Sequence, residues 1–493
     1  LTDFKLEFGT GGLRGILGEG SDRMNLTTVG RATQGVADWM GGRGKAVIAY
    51  DTRRMSREFA DRAAAVLDAN GVSVCLFPTP VPTPALSFAV RFLQADAGIC
   101  ITASHNPAEY NGYKVYGADG GQITPGDAEA ISRAIHENTE VKHGDGIGVS
   151  VLDHVVLEHY LNAVETLRLT GQPCDNLRVA YTPLNGAGLD CVTEIMRRVG
   201  AAYILVPEQT EPDGNFPTCP KPNPEEDSAL ELGSKLCLEQ DCDFLLATDP
   251  DCDRVGVSVN HHGMMRRLTG NEVGVLLLDY IVRSKGRSGT SIAVKTIVTT
   301  PMAEAICDEY GVELRDVLTG FKYIGEQIGL LERDGQADRF LFGFEESCGY
   351  LSGTHARDKD AVNAAMLICE MAADYKRRGD TLVDGIEALY QRYGRWTTHL
   401  ASVNAGPEIV DRLRQKPPET IAGRPILKVT DYLDGVDGLP KADVLAYTLE
   451  EGTIIVRPSG TEPKVKMYCM VRGADNEQIV ADFQRLYLGR DTP

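Results

Sequence analysis

No run of apolar residues in this 493-residue chain approaches the ~20 that a membrane span requires. No Cys-x-x-Cys pair occurs among the twelve cysteines, and neither cysteine nor histidine spacing suggests a zinc site. In a chain this long a disulfide framework is not expected either. The thiols read as reduced and buried, which points to the cytoplasm. A basic excess is also absent: 50 Lys and Arg stand against 70 Asp and Glu, a formal net charge of -20. Binders of nucleic-acid duplexes and membrane surfaces usually carry that excess, so neither nucleic acid nor membrane is an expected partner. Any anion site must be a local concentration of Arg and Lys within an acidic whole. There is no low-complexity segment. The opening Leu1-Thr2-Asp3-Phe4-Lys5 has the pattern of neither a signal nor a transit peptide, and it lacks an initiator Met, so further residues are expected upstream.

What is present is an alternation of short apolar runs with longer helical patterns. Ala46–Tyr50, Val72–Leu76 and Ala97–Ile101 read as strands, with a helix from Arg57 to Asn70 between the first two. The rhythm returns at Arg178–Tyr181, Tyr203–Val206 and Asp243–Ala247, and again at Ser291–Val294, Val312–Leu314 and Arg339–Phe342. The Pro-rich stretch Pro217–Pro224 between two of these runs reads as a surface loop. The C-terminal part differs, with strands expected at Asp443–Tyr447, Thr453–Val456 and Lys464–Val471 and a last helix over about 476–488. These patterns predict an α/β protein of three related mixed α/β domains, 1–170, 171–280 and 281–395, followed by a smaller α+β domain, 396–493. Open α/β sheets place ligands beyond the carboxyl ends of their strands, and the polar segments of interest follow strands here.

Four such segments carry chemistry. Thr102-Ala103-Ser104-His105-Asn106-Pro107 is followed by Tyr110-Asn111-Gly112-Tyr113-Lys114. A serine hydroxyl needs a base or a strong field to act as a nucleophile, and His105 and Lys114 are both near it in sequence. A capped helix, with Asn106 as N-cap and Pro107 at its first position, explains the same residues without chemistry. Asp249-Pro250-Asp251-Cys252-Asp253-Arg254 places three carboxylates at alternate positions after an apolar strand. Oxygen-only ligands at that density suit a hard divalent ion such as Mg²⁺, with positions left open for phosphate oxygen. An EF-hand loop is excluded, because its sixth position is Arg254 and its twelfth Asn260.

The third segment is Gly343-Phe344-Glu345-Glu346-Ser347-Cys348-Gly349-Tyr350. Its acids and serine can bind sugar hydroxyls, or can simply match a helix dipole. The fourth is Arg457-Pro458-Ser459-Gly460-Thr461-Glu462-Pro463-Lys464-Val465-Lys466. An arginine, two hydroxyls and an approachable glycine amide form a phosphate cradle, against the bland reading of a Ser-Gly-Thr turn. The glycine-rich Phe8-Gly9-Thr10-Gly11-Gly12-Leu13-Arg14-Gly15 does not match the dinucleotide fingerprint and reads as a flexible loop offering Arg14 to an anion.

Together, in this order and from Phe8 to about Val471, these segments resemble the α-D-phosphohexomutase family. Phe344, between Gly343 and Glu345, and Thr319-Gly320-Phe321-Lys322, similar to a sugar-selecting loop, resemble its bacterial phosphoglucomutase branch, related to phosphopentomutases. The resemblance implies four domains around a central cleft, one per segment, and an isomerase that moves a phosphoryl group within a sugar. Ser104 would carry that group. Asp249, Asp251 and Asp253 would hold Mg²⁺, with a phosphoserine oxygen of Ser104 as a further ligand. Glu345 and Ser347 would grip the sugar, and Arg457, Ser459, Gly460 and Thr461 the phosphate that is not reacting, with Lys464 and Lys466 both open as the further basic residue.

Arg254, Lys295 and Lys322 match basic positions at the family's cleft and, with Arg14, are expected to bind the substrate, while Arg357, Asp358 and Lys359 receive no role. The implied substrate is a phosphosugar, glucose 1-phosphate or glucose 6-phosphate, with glucose 1,6-bisphosphate as intermediate and activator. His105 and Lys114 remain alternatives for general base. Mannose or pentose phosphates are the alternative substrates, and a metal-dependent phosphatase or a non-catalytic sugar-phosphate sensor the alternative classes. The oligomer is open between monomer and dimer.

Overall fold

The computed structural model describes residues 4–9, 11–286, 289–406, 408–436, 438–458, 464–473 and 476–485. The chain falls into two compact units, one made of residues 1–286 and 321–383 and the other of 287–320 and 384–493.

In the first unit, β1 (Leu13–Ile16), β2 (Lys45–Tyr50), β3 (Ser73–Leu76), β4 (Ala97–Ile101), β5 (Tyr110–Gly117) and β6 (Val149–Val151) form a sheet of order β1-β5-β4-β2-β3-β6. β2 runs parallel to β3 and β4, whereas β5 is antiparallel to β4 and β1. β4 is buried along its whole length and β2 over all but its first residue, as expected of parallel strands covered on both faces. That is why both read as unbroken apolar runs. Helices 26–39 and 56–69 bury Val29, Val36, Phe59 and Leu67 in the same core as Ile48 and Ile99.

The same unit holds β7 (Arg178–Thr182), β8 (Ala202–Leu205), β9 (Phe244–Thr248), β10 (Val255–His261) and β11 (Met264–Leu268), in the order β11-β10-β9-β7-β8. β7, β8 and β9 are parallel; β10 and β11 add antiparallel edges. The Pro-rich stretch before helix 227–239 is not a surface loop throughout. Pro222, Asn223 and Pro224 are buried, and a Cβ on Gly256 would lie 2.6 Å from the Pro224 carbonyl oxygen, so the loop packs directly on β10.

β12 (Ile292–Thr296) and β13 (Glu313–Val317) pair in parallel in the second unit, and β14 (Phe340–Glu345) and β15 (Gly349–Leu351) pair antiparallel in the first. The second unit continues with β16 (Trp396–Asn404), the small hairpin of β17 (Thr420–Ile421) and β18 (Arg424–Pro425), β19 (Lys428–Asp431), β20 (Leu445–Thr448), β21 (Gly452–Pro458) and β22 (Lys464–Arg472). Its antiparallel sheet has the order β16-β22-β21-β20-β19. Val456, Val465, Met467 and Cys469 pack there against Ile479, Val480 and Phe483 of helix 476–483. The last helix, expected to reach 488, is described as α-helix to Phe483; positions 486–488 lie outside the described residues. The fold is thus α/β with mixed sheets and a smaller C-terminal α+β part. All twelve cysteines are unpaired and all but Cys75 are buried. Among the described residues, no helix is long and apolar enough to cross a membrane.

Candidate active site

Ser104 lies three residues beyond the buried β4, in a tight loop with φ 51°, a left-handed conformation uncommon for a serine. Its amide donates to the Thr102 hydroxyl at 2.8 Å. No helix follows: residues 102–109 turn directly into β5, so Asn106 caps nothing, and its side-chain oxygen accepts from Arg14 at 2.9 Å instead. Arg14 itself sits on β1, opposite Gly112 of β5, rather than on the flexible loop expected. Gly112 is required there, since a Cβ would lie 2.4 Å from the Thr102 carbonyl oxygen.

Beyond the carboxyl end of β9, residues 249–254 wrap around the first aspartate. Asp249 Oδ1 accepts the amides of Asp253 and Arg254 at 3.1 and 3.0 Å, and Asp249 Oδ2 accepts the Ser104 hydroxyl at 2.8 Å. Asp251 Oδ2 accepts the Thr83 hydroxyl at 3.0 Å and the Lys114 ammonium at 2.8 Å. Asp253 Oδ2 lies 3.1 Å from Lys359 Nζ and 3.6 Å from Lys114 Nζ. The other oxygens, Asp251 Oδ1 and Asp253 Oδ1, are buried without a hydrogen-bond partner among the described residues. One carboxylate oxygen from each of the three aspartates lies within 4.8 Å of the others. Two unanswered carboxylate oxygens in an all-oxygen cluster fit a hard divalent cation.

The charges shape one another. Burial, then repulsion from Asp251 and Asp253, pushes the Asp249 carboxyl well above the usual range. Burial opposes the charge on Asp251, but the Lys114 ammonium holds its carboxyl below that range. Burial likewise opposes the charge on Lys114, and Asp251 and Asp253 more than offset it, raising its pKa. Lys359 is raised in the same way by Asp253 and Asp358. His105, whose Nδ1 is 3.3 Å from Ser104 Oγ, is driven well below its ordinary value by burial and by the cations Arg254 and Arg14.

The segment expected to grip the sugar joins this site through backbone. Val255 N donates to the Cys348 carbonyl at 3.1 Å, and Arg254 forms a bridge with Gly349. Glu345 closes β14, buried, and burial raises its carboxyl. A turn with no helix separates Glu345 from β15 and carries the half-buried Ser347, so the acids do not serve a helix dipole. Arg254 Nη1 donates to Glu225 at 2.7 Å. Gly349 has no Cβ because the Lys359 side chain passes there; a Cβ would come within 2.2 Å of it.

Ser104, His105, Lys114, the three aspartates and Arg254 are therefore assembled in the first unit, with Arg14 joined through Asn106 and Glu345 and Ser347 through the β14–β15 turn. Lys322 opens helix 321–333 in the same unit, its Nζ 5.0 Å from the Tyr323 ring, and burial lowers its pKa. The second unit holds the rest. Lys295 is buried on β12, and its ammonium is answered by Asp316 at 2.8 Å and Glu304 at 3.6 Å. Thr319 Oγ1 is buried without a hydrogen-bond partner among the described residues, beside Gly320 at φ 121°. Arg457 and Lys466 are cross-strand partners on β21 and β22, so their side chains share a face, and the strand period puts Lys464 on it too. That face is opposite the one carrying Val456, Val465 and Met467 into the core. Arg457 Nε is buried without a hydrogen-bond partner among the described residues. Ser459, Gly460 and Thr461 lie outside the described residues.

Sequence reasoning missed Thr83, Arg53 and the role of Lys359. Thr83 binds Asp251 through its hydroxyl and also through its amide, 2.8 Å from the Asp251 carbonyl. Lys359 meets an aspartate distant in sequence, and no local pattern announces such a pairing. Asp358, beside it, accepts the Tyr116 hydroxyl at 2.8 Å.

A buried serine is bound to one of three clustered carboxylates at the ends of strands in mixed α/β sheets, an arrangement chemically able to serve phosphoryl transfer. Comparison with known proteins gives the family. The chain matches the four domains described as phosphoglucomutase/phosphomannomutase: alpha/beta/alpha domain I over residues 5–142, domain II over 158–263, domain III over 269–393 and the C-terminal domain over 410–484. It is 35% identical to a phosphoglucomutase of Staphylococcus aureus (strain USA300) over 502 aligned positions, covering 95% of this chain and 90% of the relative. A crystal structure from Thermus thermophilus, provisionally named a phosphomannomutase, is 26% identical with a TM-score of 0.76, covering 97% of each chain. The open form of pp63/parafusin, a phosphoglucomutase from Paramecium, shares the fold at 18% identity and a TM-score of 0.77, covering 99% of this chain and 96% of that one. This chain belongs to the phosphoglucomutase/phosphomannomutase family.

Proposed function

We propose that this chain is a phosphoglucomutase, interconverting α-D-glucose 1-phosphate and glucose 6-phosphate through phosphorylated Ser104 and glucose 1,6-bisphosphate. The observation that carries this reading is the 2.8 Å hydrogen bond from Ser104 Oγ to Asp249 within a buried aspartate triad. The glucose assignment is supported by the Staphylococcus aureus relative. We place the enzyme in the cytoplasm, in keeping with its twelve unpaired thiols.

In one half-reaction the phosphoryl group leaves the Ser104 oxygen for the free hydroxyl of the sugar monophosphate, whose proton goes to a base. In the other, glucose 1,6-bisphosphate, turned round, returns its other phosphoryl group to Ser104, and the serine proton must be accepted. His105 is the neighbour suited to accept it, being adjacent to Ser104 Oγ and held neutral, while Lys114 is engaged as an ammonium by Asp251. Asp249, Asp251, Asp253 and a phosphoryl oxygen on Ser104 would hold Mg²⁺, which when bound polarises phosphoryl oxygens and stabilises a departing alkoxide. Arg14 and Arg254 supply positive charge to the transferring group, and Lys295 and Lys322 are further candidates for contacts to the substrate. Glu345 and Ser347 bind sugar hydroxyls, with Thr319 and Gly320 as the selecting loop. Arg457, Ser459, Gly460 and Thr461, with Lys464 or Lys466, seat the phosphate that is not reacting, and its binding energy orients the sugar.

The test is uptake of one phosphoryl group from glucose 1,6-bisphosphate, read by intact mass, in the wild type and not in Ser104→Ala. Isomer formation from glucose, mannose, ribose and deoxyribose 1-phosphates then fixes the sugar. Release of inorganic phosphate in place of isomers would favour a phosphatase and sink the proposal.

A further inference from the structure

Arg53 follows β2 at the edge of the Ser104 loop, and nothing in the reading above gives it a task. Its side chain is fully buried. Nη2 donates to the carbonyl of Ser104 at 2.5 Å and also to that of Asn106; Nη1 donates to the carbonyls of Pro107 at 2.8 Å and Tyr110 at 3.2 Å. Four carbonyls of the seven residues from 104 to 110 thus converge on one guanidinium. The cation is fixed from behind. Asp51 Oδ2 lies 3.3 Å from its Nε, Asp51 Oδ1 accepts the Arg53 amide at 2.9 Å and the Ser56 hydroxyl at 2.7 Å, and the Phe216 ring lies 4.9 Å from its Cζ. Asp51 N in turn donates to the Ile101 carbonyl at 3.0 Å, which ties this group to the end of β4.

We propose that Arg53, anchored by Asp51, is the positioning residue that fixes the Ser104 loop for phosphoryl transfer. Carbonyls turned away from water need donors, and here a single planar fork of five N–H groups answers four at once, that of the buried Ser104 and those of the part-buried Asn106, Pro107 and Tyr110. That imposes one arrangement on the loop, including the left-handed backbone at Ser104, whose own carbonyl is among the four. A lysine offers three donors about a single point and cannot span the same set. Arg53 touches neither the hydroxyl nor a substrate group; it acts through the backbone.

The inference rests on Ser104 being the phosphoryl carrier, and three readouts on the wild type, Arg53→Met, Arg53→Lys and Asp51→Asn separate the two. The first is steady-state kinetics. Arg53→Met should lose about 10²-fold in kcat while KM for glucose 1-phosphate moves by less than about threefold, because misplacing a nucleophile costs rate and not substrate binding. Arg53→Lys should recover the melting temperature and leave kcat low. Wild-type kcat in either variant, or a loss confined to KM, overturns the proposal. The second readout is the rate of Ser104 phosphorylation by glucose 1,6-bisphosphate, expected to fall in parallel with kcat. The third is amide hydrogen exchange over residues 102–111, expected to speed up in all variants. Should Arg53→Met fail to fold, Asp51→Asn decides: it should lose about tenfold in kcat by loosening the anchor, and wild-type kcat there overturns the proposal. If the wild type takes up no phosphoryl group, the functional reading fails by itself. The exchange data still judge the clamp, which unchanged protection over 102–111 would refute.

Discussion

Around Ser104 the charged groups face one another. Asp251 meets Lys114, Asp253 meets Lys359 and Arg254 meets Glu225, so the cluster is built before any ligand arrives. The strand pair carrying Arg457, Lys464 and Lys466 puts three cations on one face, with Arg457 opposite Lys466 and its buried Nε lacking a hydrogen-bond partner among the described residues. Like charges set opposite each other on a sheet repel. The first arrangement is suited to holding reacting atoms in a fixed geometry, and the second, with three cations gathered on one face, to meeting an anion. Both regions concentrate positive charge locally within an acidic protein. At the first site Lys114, Lys359 and Arg254 face neighbouring carboxylates, and at the second three cations are gathered on one strand face.

The comparison can be broken in several ways. The largest effect is expected from Ser104→Ala, which should lower mutase turnover by ~10³-fold or more in a coupled assay, with the fold intact by circular dichroism. Next comes the cation. Chelation should abolish activity and Mg²⁺ restore it, and Asp251→Asn should weaken Mg²⁺ binding by ~10²-fold in calorimetry, since a ligand charge is lost. Arg457→Met tests the other region. If that region serves binding more than bond-making, KM for glucose 1-phosphate should rise about 10- to 100-fold, the worth of one or two charge-assisted hydrogen bonds, with a smaller change in kcat. An equal fall in kcat at unchanged KM would erase the distinction between the regions.

The smallest effect concerns the cost of crowding acids. Burial and the neighbouring Glu345 raise the Glu346 carboxyl from 4.5 to about 8. The folded protein then keeps a proton that the unfolded chain releases near 4.5, so this group's contribution to stability is present below 4.5 and is lost as pH rises towards 8. Glu346→Gln should therefore raise the melting temperature at pH 8.5 by about 2 °C and leave it unchanged at pH 4. A gain confined to the acidic side would reverse the assignment.

Much of the site was legible because its chemistry is local in sequence. The aspartates at alternate positions after β9, and the serine after β4, announce themselves by residue type and by following a strand. Two of the bland alternatives failed for structural reasons. Asn106 caps no helix because the chain turns straight into β5, and Glu345 and Glu346 open no helix because β15 follows. Arg14 was misplaced on a flexible loop because four glycines surround it, although residues 13–16 pair in register with β5. The Pro-rich stretch looked exposed, yet its second half packs on Gly256. Proline and glycine report what a backbone can do, not what it rests against.

The sequence by itself determined the alternation of apolar strands and helices, the placement of acids and hydroxyls beyond strand ends, and the membership that their order suggests. Only the tertiary structure decided the partners: Thr83 and Lys114 on Asp251, Lys359 on Asp253, Arg53 on the carbonyls of the Ser104 loop, and Arg457 opposite Lys466. Periodicity and composition are properties of neighbouring residues. A pairing between distant charges exists only after burial removes water from both, because the low dielectric then makes their attraction strong and an unanswered charge costly.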